Sequence, residues 1–222
     1  MLDRRSIAID GPAGAGKSTV AKLVAQRLKL IYIDTGAMYR AITLKALREK
    51  LDLQDQMSLT QLAKETTIQL VAGLQQRVLL DGEDVTEEIR SPEVTGQVST
   101  VAQIVGVRDV MVKQQRQMAK EFGVVMDGRD IGTVVLPDAG AKFFLTASAE
   151  ERACRRAKEL VDKGYTIDIK KLTKEIEERD YMDSNRAVSP LVPAQDAITI
   201  DSSGMTVEEV VTTIIALIEK GK

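Results

Sequence analysis

Histidine is absent from this chain. That absence removes imidazole as base, nucleophile or metal ligand, and with it serine–histidine hydrolysis and most zinc catalysis. Chemistry must therefore rest on positioning and on charge. Cysteine is almost absent too. Cys154 stands alone, so there is neither a disulfide framework nor a cysteine metal cluster, and a reducing, cytoplasmic setting is expected. No stretch approaches the roughly 18 apolar residues of a membrane span. The N-terminal MLDRRSIAIDGPAG has no apolar run long enough for a signal peptide, so no membrane partner is expected. A strong charge of one sign is also missing. The net charge of −2 lacks the electrostatic footprint of a nucleic-acid binder, although local arginine clusters can still meet phosphate.

What is present suits one folding unit with inserted subdomains: 222 residues, without internal repeats or an obvious linker. Ser6–Asp10 is a short β-branched apolar run ending in Gly-Pro, which predicts a buried parallel strand. Ile31–Asp34, Gly123–Asp127, Lys142–Leu145 and Ala197–Ile200 predict four more. Helical spacing is expected over Ser18–Leu28, from Thr35 to about Lys50, and over Arg108–Glu121, Glu150–Lys163, Ile169–Ser184 and Thr206–Glu219. This alternation implies an α/β fold, a parallel sheet covered by helices. One region breaks the rhythm. Thr66–Val85, with a hairpin signal at Asp81–Gly82, reads as a small antiparallel excursion, followed by a helix near Glu93–Ala102. Gly164–Ile167 reads as the tip of a mobile lid.

The sharpest motif is Gly11-Pro12-Ala13-Gly14-Ala15-Gly16-Lys17-Ser18, followed by Thr19, between a predicted strand and a predicted helix. Glycines let backbone N–H groups wrap a phosphate above the positive end of the helix. Lys17 reaches the β- and γ-phosphates, and the Ser18 hydroxyl suits Mg²⁺. The motif indicates a nucleoside triphosphate but not the reaction. A GTPase would show N-K-x-D, which does not occur; the one D-x-x-G match, Asp201–Gly204, lies near the C-terminus.

Small-molecule kinases instead cluster arginines around a second phosphate, because two phosphate chains meeting head to head repel one another. Arg40 follows the second strand, Arg129 lies beyond GVVMD, and Arg179, Asp183 and Arg186 share a helical face if the helix persists. Arg152, Arg155 and Arg156 cluster on the helix leading to the lid. Asp127 is placed either as a Walker-B-type partner of Mg²⁺ or as a helix cap or ion-pair partner, and Asp10 as a brace for the glycine loop. A monophosphate acceptor needs no general base. An alcohol acceptor would need one, for which Asp34 or Asp130 is the candidate.

The segments IDGPAGAGKST, IDTGAMYR, DGEDVTEEIR, VMDGRDIGTVVLPDA, YMDSNRAVSPLVPA and AITIDSS, in this order, resemble the cytidylate kinase family. Adenylate kinases share the loop but lack DGRDIGTVV and NRA-x-SPL. The resemblance implies a P-loop core (about 1–35, 105–150 and 190–222), a nucleoside-monophosphate subdomain enlarged by an insert (about 36–104) and a short helical lid (about 151–189). It implies transfer of the γ-phosphoryl of ATP to CMP or dCMP with Mg²⁺; a monomer is expected. Arg40 and Arg129, with Thr35 in place of a serine, match positions at the acceptor phosphate. Ser99, Arg108 and Asp130 match readers of cytosine, Arg179 and Asp183 lie near the pentose, and Arg186 lies in the same pocket. Lys17, Arg129, Arg179 and Asp127 are the expected catalytic groups, and Arg156 the lid contact to ATP.

Overall fold

The computed structural model describes residues 6–220 except 72, 74, 75 and 163. Strand β1 (Ile7–Asp10) is wholly buried because it lies between two parallel neighbours, β6 (Val124–Gly128) and β7 (Ala141–Thr146). Strand β2 (Ile31–Asp34) extends the sheet beyond β6 and β8 (Ile198–Asp201) beyond β7, giving the order β2-β6-β1-β7-β8, all parallel. Side chains alternate between faces. Ile7, Ile9 and Val125 pack with Val20, Ala21 and Val24 of α1 (Lys17–Leu28) and with Val210, Val211 and Ile214 of α8 (Val207–Lys220). Ala8 and Met126 face the other way, onto Ala119 of α5 (Val105–Glu121) and onto Ile131 and Val135 of a π-helical turn, Ile131–Val135. Burial on both faces explains why these strands read as unbroken apolar runs.

The carboxyl ends of the strands define the working edge. Asp34, Asp127 and Gly128, and Asp10 stand next to one another there in register. From this edge the chain leaves β2 directly into α2 (Thr35–Arg48). Helix α3 (Gln56–Glu65) follows, then the antiparallel sheet β3 (Ile68–Val71), β4 (Arg77–Leu80) and β5 (Glu83–Asp84), a 3₁₀ turn at Glu88–Arg90, and α4 (Pro92–Ala102). These elements share a core of their own, built on Met38, Ile42, Leu59, Ile89 and Val101, into which α5 also sends Val107 and Met111. Helices α6 (Ala149–Asp162) and α7 (Ile169–Asn185) pack against each other between β7 and β8, with Gly164 at φ 88 in the connection.

The expected strands, the hairpin at Asp81–Gly82 and the expected helices are present with shifted ends; α5, for example, begins at Val105 rather than Arg108. Residues 72, 74 and 75 of the expected excursion, Lys163 at the end of an expected helix, and residues 1–5 of the N-terminal segment lie outside the described residues. Three described elements have no counterpart in the sequence reading: α3, the 3₁₀ turn at Glu88–Arg90 and the π-helical turn. Helix α3 buries only Leu59, Leu62 and Ala63, a thin periodic signal. The π-helical turn has the apolar composition of a strand, IGTVV.

Candidate active site

The glycine loop is built by steric necessity. A Cβ on Gly11, at φ +145, would stand 1.9 Å from the Leu145 carbonyl oxygen, so only glycine lets the chain leave β1 beside β7. Gly16 enters α1 in the left-handed conformation and no side chain caps the helix, which leaves its opening amides for an anion. Pro12 and Ala15 are buried, Ala13 is partly so, and Gly14 and Thr19 are exposed. Arg152, reaching from α6, donates to the Ala13 carbonyl at 3.0 Å and pairs with Asp180 of α7 at 2.6 Å. The loop is thus tied to the α6–α7 pair.

Lys17 is buried, its ammonium donating to the Pro12 carbonyl at 2.6 Å. Burial, then the like charges of Arg129 and Arg179, push its pKa well below the lysine range, with Asp127 and Asp10 opposing. The arginines are therefore close enough to the loop to act on its lysine. Asp127 accepts from Ser18 Oγ and from the Tyr32 hydroxyl, both at 2.8 Å, while its backbone carbonyl accepts from Thr35 Oγ1 at 2.6 Å. Burial, followed by the nearby Asp34 charge, raises its carboxyl pKa. It caps no helix; its carboxylate oxygens are engaged by the Ser18 and Tyr32 hydroxyls, with the Lys17 charge nearby. Among the described residues no group of three or more Asp, Glu, His or Cys could hold a metal. The hard oxygens of Ser18 and Asp127 nonetheless suit Mg²⁺, which keeps several waters and takes few protein ligands beside substrate phosphates.

Across the edge from the loop lies a cavity. Thr35, Arg40, Ser99, Arg108, Arg129, Asp130, Arg179, Asp183 and Arg186 all line it, together with Gly36, Tyr39, Val98, Ala102 and Gly128. These side chains come from β6 and the segment after it and from four helices or their ends. They hold one another in ion pairs. Arg129 donates to Asp183 at 2.8 Å, and Arg108 donates to Asp130 and, at 3.1 Å, to the Ala102 carbonyl. Arg186 stands 3.8 Å from Asp130, and Ser99 donates to Asp183 at 3.5 Å. Burial pulls Asp183 upward, yet Arg129 and Arg179 hold its pKa below the usual carboxylate range. Burial and the neighbouring Arg129 lower the Arg179 guanidinium to about 10, which still leaves it charged at neutral pH. Buried donors of the lining residues, Nε of Arg40, Arg108 and Arg179 among them, have no hydrogen-bond partner. A polar or anionic ligand is what such donors require.

Asp34 is fully engaged. It caps α2 through Ala37 N at 2.8 Å and pairs with Arg40 at 3.0 Å and Arg90 at 3.4 Å. Despite burial, those guanidinium groups keep its pKa low. Neither Asp34 nor Asp130 is a free base. Arg156 is half-buried on α6, pairs with Glu159 at 2.9 Å and is not part of the cavity lining, although its charge acts on Arg179, which is. Arg90, Tyr32 and Tyr39 complete the surroundings of the site without having been singled out from the sequence, whereas Arg152 belongs to the arginine cluster noted on the helix leading to the lid. Arg90 lies in the quoted segment DGEDVTEEIR, the one signal that could have found it.

An anion cradle at the carboxyl edge of a parallel sheet, facing an arginine-lined cavity, defines a P-loop phosphotransferase for a small phosphorylated acceptor. Solved structures agree on the fold. An uncharacterized protein from Eubacterium ventriosum superposes with TM-score 0.54 at 14% identity, covering 98% of this chain and 99% of that one. A gluconokinase from Sinorhizobium meliloti gives TM-score 0.51 at 14% identity, covering 97% and 91%. The sequence comparisons go further. The cytidylate kinase family model matches residues 7–220. The cytidylate kinase of Desulforamulus reducens is 71% identical over 222 residues, all of both chains. Those of Pelotomaculum thermopropionicum and Bacillus velezensis are 58% and 56% identical, covering 98% and 99% of this chain and 97% and 99% of theirs. The chain belongs to the cytidylate kinase family.

Proposed function

We propose that the chain transfers the γ-phosphoryl of ATP to CMP or dCMP, with ATP on the glycine loop and the monophosphate in the arginine-lined cavity. The observation that carries this reading is the placement of Arg129 and Asp130. They are consecutive residues that follow Asp127, which Ser18 of the glycine loop engages, and both line the cavity, Arg129 paired with Asp183 and Asp130 gripped by Arg108. Arg40, Arg129 and Thr35 would hold the acceptor phosphate. Ser99, Arg108 and Asp130 would read the base, and Arg179, Asp183 and Arg186 would meet the sugar and its surroundings. A carboxylate accepting from the exocyclic amine, beside a guanidinium donating to the ring, complements cytosine. Uracil would turn a carbonyl toward Asp130 and leave it unmatched, so UMP is the poorer substrate.

The acceptor phosphate is already ionised at neutral pH, so in-line attack needs alignment and no base. Lys17, Arg129 and Arg179 screen the charge that builds between the two phosphate chains. Ser18, with Asp127 behind it, would hold Mg²⁺, which when bound neutralises charge on the β- and γ-oxygens. The α6–α7 pair would serve as the lid that excludes water, with Arg156, whose charge acts on Arg179, as a contact to the donor. The enzyme would work as a cytoplasmic monomer on free nucleotides, not on nucleic acid. An ADP-release assay with CMP, dCMP, UMP, AMP and shikimate tests the assignment. Strong stimulation by CMP and dCMP and weak stimulation by UMP are expected; a rate highest with shikimate, or unaffected by any acceptor, would overturn it.

A further inference from the structure

The mechanism above makes no use of the Asp10 carboxylate. Yet it sits at the end of β1 at 3% exposure, where an ionisable group is expensive to keep. Burial raises its pKa to about 6, even though two backbone amides pull it back down. Those amides take both of its oxygens. Oδ1 accepts from Ile131 N at 2.8 Å and Oδ2 from Gly132 N at 2.7 Å. They open the π-helical turn Ile131–Val135, whose own capping residue, Asp130, supplies no side-chain cap because its carboxylate is turned to Arg108. A helical turn leaves its first N–H groups without internal partners. Asp10 therefore caps the turn from a different strand.

The same residue secures the other flank. In the β1–β6 ladder Asp10 is paired with Gly128. Between Gly128 and Ile131 lie only Arg129 and Asp130, which line the cavity. We infer that Asp10 is a positioning residue for the acceptor nucleotide, clamping the backbone on both sides of Arg129 and Asp130 so that both side chains are aimed into the cavity. This rests on the reading of that cavity as the acceptor site. Asp10 adjoins Gly11, but its carboxylate hydrogen bonds run to the turn after β6 rather than bracing the glycine loop.

Asp10→Asn keeps the size of the side chain but sets an NH₂ against one of the two N–H donors, so the turn loses half its cap. The Michaelis constant for CMP should rise about tenfold while that for ATP stays within about twofold, a split that a general loss of folding would not produce. Gly132→Ala disturbs the same contact from the opposite side. Its Cβ would stand 3.3 Å from Asp10 Oδ2 and 3.2 Å from Lys142 Cδ. A rise of about threefold for CMP, with ATP unaffected, is expected there. Equal rises for both substrates, or an unchanged constant for CMP in folded Asp10→Asn, would overturn the assignment. Should Asp10→Asn prove unfolded by circular dichroism, Gly132→Ala decides by the same criterion. A wild-type protein that does not turn over CMP would instead overturn the acceptor reading, and this inference with it.

Discussion

Lys17 is buried, and burial together with the repulsion of Arg129 and Arg179 pushes its pKa well below the lysine range. A cation so placed is costly to the fold and useful only when triphosphate arrives. Lys17→Ala should therefore lower kcat by about 10²- to 10³-fold, the loss typical of one transition-state donor, with an undiminished melting temperature. Near-normal turnover would remove the loop from the mechanism. Asp130 differs because its partner is Arg108, which is also buried. Asp130→Ala should raise KM for CMP at least tenfold, about the value of one charged hydrogen bond, and leave KM for ATP nearly alone. Equal effects on both constants, in steady-state titrations of each substrate, would contradict its assignment to the base. Sequence reasoning reached both residues by different routes. Lys17 lies in a local pattern whose chemistry depends on neighbours a few positions away. As a reader of the base, Asp130 emerged only through family resemblance, since its guanidinium partner lies 22 positions away.

Elements impose their own constraints, clearest at two glycines. Gly11→Ala drives a methyl group into the backbone of β7, 1.9 Å from an oxygen the sheet holds in place. It should cost more than about 4 kcal/mol or prevent folding. Gly82→Ala meets nothing within 4 Å, and only its φ of +90 is unfavourable, so about 1 kcal/mol is expected in urea unfolding. Similar losses at the two sites would contradict the steric account of the loop. The junction of β1 with the π-helical turn also predicts a pH dependence. Asp10 titrates near 6 in the folded chain against an ordinary 3.8; burial is the main cause, and Asp130 and Lys17 are the charged groups acting on it. With the folded pKa raised, its contribution to stability is complete below the unfolded value and is lost as pH rises through 6. The unfolding free energy of wild type minus that of Asp10→Asn should thus fall by roughly 3 kcal/mol between about pH 4 and pH 7. A difference independent of pH would refute the shift.

In the whole molecule, the glycine loop and the arginine-lined cavity are rooted in different cores. The glycine loop and α1 rest on the cluster shared with α8, while α2, α4 and α5, which carry Arg40, Ser99 and Arg108, converge on the cluster around Leu59. Leu59→Ala should destabilise the protein by about 2–5 kcal/mol. At temperatures where it stays folded, binding of CMP should weaken more than binding of ATP. Calorimetry paired with titration of each nucleotide separates this from uniform softening. The ion-paired lining of the cavity and the tie from Arg152 to both Ala13 and Asp180 link these halves across the sheet edge.

The amino-acid sequence alone determined the parallel α/β core, the hairpin at Asp81–Gly82 and the triphosphate loop, because each depends on side-chain period or backbone freedom within a few residues. It also excluded imidazole chemistry outright. Only the tertiary structure decided that Tyr32 and Ser18 share Asp127, that Arg90 joins Arg40 on Asp34, and that Asp10 caps a turn 121 positions away. Such pairings form when packed helices and strands bring distant charges out of water together, and their strength depends on that burial rather than on any spacing along the chain.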